Sequence, residues 1–129
     1  MGEDMYSWRL VIDRVSEGAL KDLYIVEASN PDERVFMKLE LARIILDNLE
    51  VRIEEDNTLE IELSKEEKEN YRDLYNLYMV GKLLKVTPEA GAWKYLFTIG
   101  GLQLVLSIPI KLEQLNEMDK VYIGVRVSR

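Results

Sequence analysis

The chain of 129 residues contains no cysteine and no histidine. Without cysteine there are no disulfides, no thiolate nucleophiles and no cysteine-type zinc sites. Without histidine the commonest general base and the commonest metal ligand are gone. No apolar run approaches the ~20 residues of a membrane span. The opening MGEDMYSWRL lacks the basic-then-apolar build of a secretory signal. A soluble, intracellular protein is expected. No Walker loop or dinucleotide fingerprint is present, because Gly100-Gly101 lacks a following lysine and helix. No internal repeat and no low-complexity linker is visible.

The length suits one domain over residues 1–129, large enough to bury roughly two-thirds of its unfolded surface. The net charge of −7 is unevenly spread. Residues 1–48 carry 10 acids and 6 bases, and residues 49–70 carry 9 acids and 3 bases. Residues 71–129 reverse the balance, with 5 acids and 8 bases. The acidic middle would repel a phosphate backbone, while the last part tolerates one or meets an acidic partner.

The clearest structural signal is YLFTIGGLQLVL, from Tyr95 to Leu106. Both central positions of a type I′ turn need positive φ, which glycine reaches without steric cost. A two-residue Gly100-Gly101 loop pairs Ile99 with Leu102, Phe97 with Leu104, Tyr95 with Leu106 and Trp93 with Ile108. Side chains alternate along a strand, so these eight share one apolar face. Thr98, Gln103, Lys94 and Ser107 lie on the other, with Leu96 opposite Val105.

Other segments also read as strands. Trp8 to Val15 places Trp8, Leu10 and Ile12 on one face, and Ser16-Glu17-Gly18 turns. Leu20 to Ala28 follows and stops at Asn30-Pro31-Asp32. Val35, Met37, Leu39 and Leu41 alternate in a third strand. Residues 42–48 fit either a helical turn or more strand. Leu49, Val51 and Ile53 alternate, as do Leu59, Ile61 and Leu63. Their register favours an odd loop, Asp56-Asn57-Thr58, pairing Ile53 with Ile61 and Val51 with Leu63. Ser64 and Glu67 suggest a capping box for a helix over about 65–76, where Tyr71, Leu74, Tyr75 and Tyr78 have helical spacing. Leu77 to Val86 is a strand, with Gly81 marking a bulge or close approach. Thr87 to Gly91 turns, Ile110 to Asp119 connects, and Lys120 to Val127 closes the chain with Val121, Ile123, Val125 and Val127 inward. The fold class is therefore all-β: a single antiparallel barrel or sandwich of eight to nine short strands with at most one or two short helices.

Candidate chemistry is thin. Glu54, Glu55 and Asp56, with Glu60 and Glu62, could hold a hard cation but match no EF-hand loop and read as a solvated face. A Ser64–Lys65 or Ser64–Lys68 nucleophile scheme would lie in an exposed, polar segment, where lysine is not activated. Trp93, Tyr95 and Phe97 recur at alternate positions, as base-stacking residues do in single-strand binders. Opposite Leu102, Leu104, Leu106 and Ile108 they read as core. Lys82, Lys85, Lys94, Lys111, Lys120, Arg126 and Arg129 are too dispersed to form a nucleic-acid motif. No catalytic, cofactor or metal residue is assigned.

Five words in order carry a resemblance: LVIDRVSEGALKDLYIVEAS, DNLEVRI, LYMVGKLLKV, LFTIGGLQLVL and LNEMDKVYIGVRV. Together they resemble the eighth subunit of archaeal and eukaryotic DNA-directed RNA polymerase, the G subunit in archaeal naming. The acidic segment 54–70 matches least, and the absence of an extended loop there looks like the archaeal form. The resemblance implies an OB-like barrel that is a non-catalytic assembly subunit in transcription, without cofactor or metal. It implies docking on the largest subunit and, in eukaryotic relatives, also on the third. One copy would sit in a hetero-oligomer, cytoplasmic in an archaeon and nuclear in a eukaryote, with no membrane and no direct nucleic-acid contact. Docking is expected near Gly81, the turn Gly100, Gly101 and Leu102, and the closing strand with Tyr122 and Arg126. The alternatives are a free-standing OB-fold module for single-stranded nucleic acid, which needs exposed aromatics, and a small-ligand barrel, which needs a cavity.

Overall fold

The computed structural model describes residues 5–129. The first four, and with them the start of the MGEDMYSWRL segment, lie outside the described residues. Eight strands form one closed antiparallel barrel: β1 (Met5–Glu17), β2 (Leu23–Asn30), β3 (Val35–Ala42), β4 (Thr58–Ser64), β5 (Leu77–Glu89), β6 (Ala92–Ile99), β7 (Leu102–Ile108) and β8 (Lys120–Ser128). Around the barrel the order is β1-β2-β3-β7-β6-β5-β8-β4, and β4 returns to β1. Closure removes the unpaired edges on which open sheets aggregate. Two short helices interrupt the pattern, α1 (Arg43–Asn48) and α2 (Tyr71–Leu74).

The two longest strands, β1 and β5 with 13 residues each, are built alike. The first half of β1 pairs with β4 and its second half with β2, with a register shift between Ile12 and Arg14. The first half of β5 pairs with β8 and its second half with β6, with a shift between Leu83 and Lys85. An extra residue bends a strand and raises its twist. That bend lets one strand serve two neighbours and curls the sheet shut.

The hairpin at Gly100-Gly101 has the expected register throughout, from Ile99 opposite Leu102 to Trp93 opposite Ile108. Gly100 and Gly101 have φ of 58° and 91°. Tyr95, Phe97, Leu104, Leu106 and Ile108 are fully buried, together with Leu59, Ile61 and Leu63 of β4 and Val121, Ile123 and Val125 of β8. From the β7–β8 connector, Leu112 and Leu115 also enter the core.

Several expectations are corrected. Residues 49–53 form no strand, so the pairing of Ile53 with Ile61 does not occur. Ile61 already stands between Trp8 of β1 and Val125 of β8, leaving β4 no free edge. Val51 and Ile53 instead pack against the core as parts of a loop. The helix over 65–76 shrinks to α2, and Ser64 forms no capping box. Its Oγ accepts the Glu66 N–H at 3.1 Å and donates to the Glu66 carbonyl at 2.9 Å, a local turn that competes with helix. Leu20 lies in the β1–β2 loop, so β2 begins at Leu23. The turn over 87–91 narrows to Ala90-Gly91, with Pro88 in strand opposite Trp93. Proline fits there because β5 has lost its β8 neighbour beyond Lys82, so no ladder donor is missed on that side.

Candidate docking face

The outer surface of β4, β8 and β5 carries a linked network of ion pairs and hydrogen bonds. Cross-strand rows set Glu60 beside Arg126, then Glu62 beside Gly124 and Tyr78, then Ser64 beside Tyr122 and Val80. Arg126 is the hub. Its Nε donates to Glu60 at 3.1 Å, its Nη2 to Glu62 at 2.6 Å and its Nη1 to the Leu74 carbonyl at 3.3 Å. The hydrogen bond from Arg126 holds the Glu60 carboxyl below its ordinary pKa despite some burial. Burial opposes the Arg126 charge, but the two carboxylates outweigh it and push its pKa up.

Four tyrosines tile this surface. The Tyr78 ring stacks on Tyr71 at 4.7 Å, Tyr75 at 5.4 Å and Tyr122 at 6.0 Å between centroids, with planes within 13°. These are offset-stacked arrangements that aromatic quadrupoles favour. Glycine makes the array possible. A Cβ on Gly124 would stand 2.5 Å from Cε1 of Tyr75, so the Tyr75 ring lies directly on the β8 backbone. The Tyr75 hydroxyl donates to Glu62 Oε1 at 2.5 Å. Burial, then that hydrogen bond, raise its pKa well above the ordinary tyrosine value. The Tyr78 hydroxyl accepts the Lys68 N–H at 2.9 Å, and burial raises its pKa too. Cations edge the array: Arg126 over Tyr75 at 5.4 Å, Lys120 over Tyr122 at 5.4 Å and Arg72 over Tyr71 at 5.7 Å. An open cleft of about 340 Å³ lies alongside, lined by Leu49, Glu50, Tyr71, Arg72, Tyr75 and Tyr78 among others.

Of the residues singled out in the sequence, Tyr122 and Arg126 share this face. Gly81 does not present itself to solvent. It is buried in β5, where an added Cβ would meet the Thr98 carbonyl oxygen at 2.8 Å and Ile99 Cγ1 at 3.1 Å. Gly81 thus holds the β6–β7 hairpin close to β5. Gly100 and Gly101 form the exposed tip of that hairpin, and Leu102 is half-buried beside them. Tyr71, Tyr75 and Tyr78 do not share a helix face as their spacing suggests. The one sequence signal for their true arrangement is Gly124, a glycine inside an otherwise bulky strand.

The other sequence candidates separate. Tyr95 and Phe97 have 0% exposure, so neither can stack a base. Trp93 is half-buried and packs against the core from its edge, with Lys111 Nζ 5.3 Å from its ring centroid. Glu54, Glu55 and Asp56 are exposed, whereas Glu60 and Glu62 are paired with Arg126. Lys65 reaches Asp119 at 3.6 Å. No helix among the described residues is long and apolar enough to cross a membrane.

Comparison with known proteins gives three findings. No curated protein matches the chain. Among solved structures, the cytoplasmic molybdate-binding protein ModG with molybdate bound is similar at 10% identity, over 95% of this chain and 94% of that one, with a TM-score of 0.38. A likeness of that degree bears on neither fold nor ligand. A family model for the G subunit of DNA-directed RNA polymerase matches residues 5–128.

Proposed function

The chain belongs to the family of DNA-directed RNA polymerase G subunits, and we propose that it is a non-catalytic assembly subunit docked on the largest polymerase subunit. Family membership makes it one subunit of a hetero-oligomeric, nucleotidyl-transferring complex. The observation that carries the reading is the extent of the match, which spans the barrel from β1 to β8. Within the proposal residues 1–129 act as one domain, with no cofactor and no direct nucleic-acid contact. They work in the cytoplasm of an archaeon or the nucleus of a eukaryote.

The chemistry of the chain supports this. Its aromatic hairpin is committed to the barrel core at Tyr95 and Phe97, so those two rings are withdrawn from the base stacking a single-strand binder uses. Its outer tyrosines and arginine are the residue types enriched at the centres of protein interfaces. Tyr122 and Arg126 would dock directly. Gly100, Gly101 and Leu102 would dock as a tip, held in place by Gly81. Cross-linking of the polymerase assembled with this chain tests the proposal. Links to the largest subunit are expected. Links confined to other subunits would move the docking site, and absence of the chain from the enzyme would end the reading.

A further inference from the structure

We propose that the tyrosine face over β5 and β8 receives a lysine- and arginine-bearing segment of another polymerase subunit. This rests on the reading of the chain as a docked polymerase subunit. Tyr78 and Tyr122, with Tyr71 and Tyr75 beside them, form a half-buried aromatic surface, covered in part by the Lys68 backbone at the Tyr78 hydroxyl. Val80, 48% exposed, extends it along the Tyr122 row. A contiguous surface of this kind on a subunit is where a partner is expected.

Charge selects the partner's chemistry. Residues 49–70 carry 9 acids against 3 bases, and Glu50 of that segment lines the tyrosine cleft. Among the described residues only Glu60 and Glu62 of that segment's acids are ion-paired. Glu50 lines the cleft beside Tyr71, Tyr75 and Tyr78, where Arg72 is its one counterweight. Glu67 lies close enough for its charge to act on the Tyr78 hydroxyl, and Glu66 and Glu69 are exposed beside it. Three cations of the chain itself already sit over tyrosine rings here. A partner's ammonium or guanidinium group entering the cleft meets ring quadrupoles and an unpaired carboxylate together. The same carboxylates repel a phosphate backbone, so the geometry favours a basic protein segment over nucleic acid.

The test uses tagged full-length chain expressed in cells, with the polymerase recovered on the tag. Glu50→Lys combined with Glu67→Lys should reduce recovered polymerase by about tenfold or more. The charge-matched pair Glu33→Lys with Glu89→Lys should not. Tyr78→Ala should act like the first pair, and a thermal melt shows whether that variant still folds. A zero-length carbodiimide cross-link should join Glu50 or Glu67 to a partner lysine. Equal recovery by the wild type and the Glu50/Glu67 variant overturns this inference and leaves the subunit reading standing. Failure of the wild type to recover polymerase removes the parent reading itself. Binding of a labelled single-stranded oligonucleotide to the free chain, lost in Tyr78→Ala, would overturn the inference in favour of nucleic acid.

Discussion

The Tyr95 hydroxyl accepts the backbone N–H of Leu112 at 2.6 Å inside the barrel. This bond ties the β7–β8 connector to β6 at the point where Leu112 enters the core. Burial raises the Tyr95 pKa although the Leu112 bond pulls the other way. Tyr95→Phe keeps the ring and strands the Leu112 N–H. An orphaned buried donor costs about 1–3 kcal/mol. Chemical denaturation should show that loss, and an unchanged midpoint would mean water or relaxation replaces the bond.

Gly124→Ala forces the Tyr75 ring off β8, because the new methyl would overlap Cε1 and Cδ1 of that ring. The stack on Tyr78 and the bond to Glu62 go with it. Overpacking of this kind costs about 1–3 kcal/mol. Pairing it with Tyr75→Ala should restore much of the stability, since the clash disappears. A double variant as unstable as the sum of the singles would contradict the contact.

At the hairpin tip, Gly100 tolerates asparagine better than Gly101 tolerates valine. Gly100 has φ 58° and Gly101 φ 91°, and neither has neighbours that a Cβ would touch. The effect is therefore backbone strain alone. Asn accepts the left-handed region and β-branched residues do not. Gly100→Asn should be close to neutral, and Gly101→Val should lower stability by about 1–2 kcal/mol. Thermal melts of the two variants make the comparison.

Acid should weaken the β4–β8 surface through Glu60. Its folded pKa lies below the ordinary value, chiefly because Arg126 donates to it. A depressed carboxylate contributes stability that is fully present above its unfolded pKa and is lost as pH falls through the folded value. Stability should therefore decline from about pH 4 downward. Glu60→Gln should flatten that limb of the stability–pH curve, and an unchanged limb would assign it to other carboxylates.

The hairpin was legible because two local rules agreed on it, glycine turn chemistry and period-two alternation. The same holds for β3 and β8, whose inward positions are those the alternation marks. Residues 49–53 mislead because alternation reports a half-buried segment and not the presence of a free edge to pair with. Ile61 is already taken on both sides. The helix over 65–76 fails where the Ser64 hydroxyl finds a nearer partner in Glu66. The tyrosine face stays hidden because it joins residues from α2, β5 and β8, and sequence spacing shows only neighbours within one element. Tyr122 and Arg126 are docking candidates through the family words, whereas Tyr75 and Tyr78 join them only through the packing of Tyr75 on Gly124 and Tyr78.

Quantitative recovery of the polymerase on a tagged copy of this chain tests the account most directly. One copy of the chain per largest subunit, retained through high-resolution sizing, is the predicted result. Polymerase that is active, complete in its other subunits and free of this chain would contradict it.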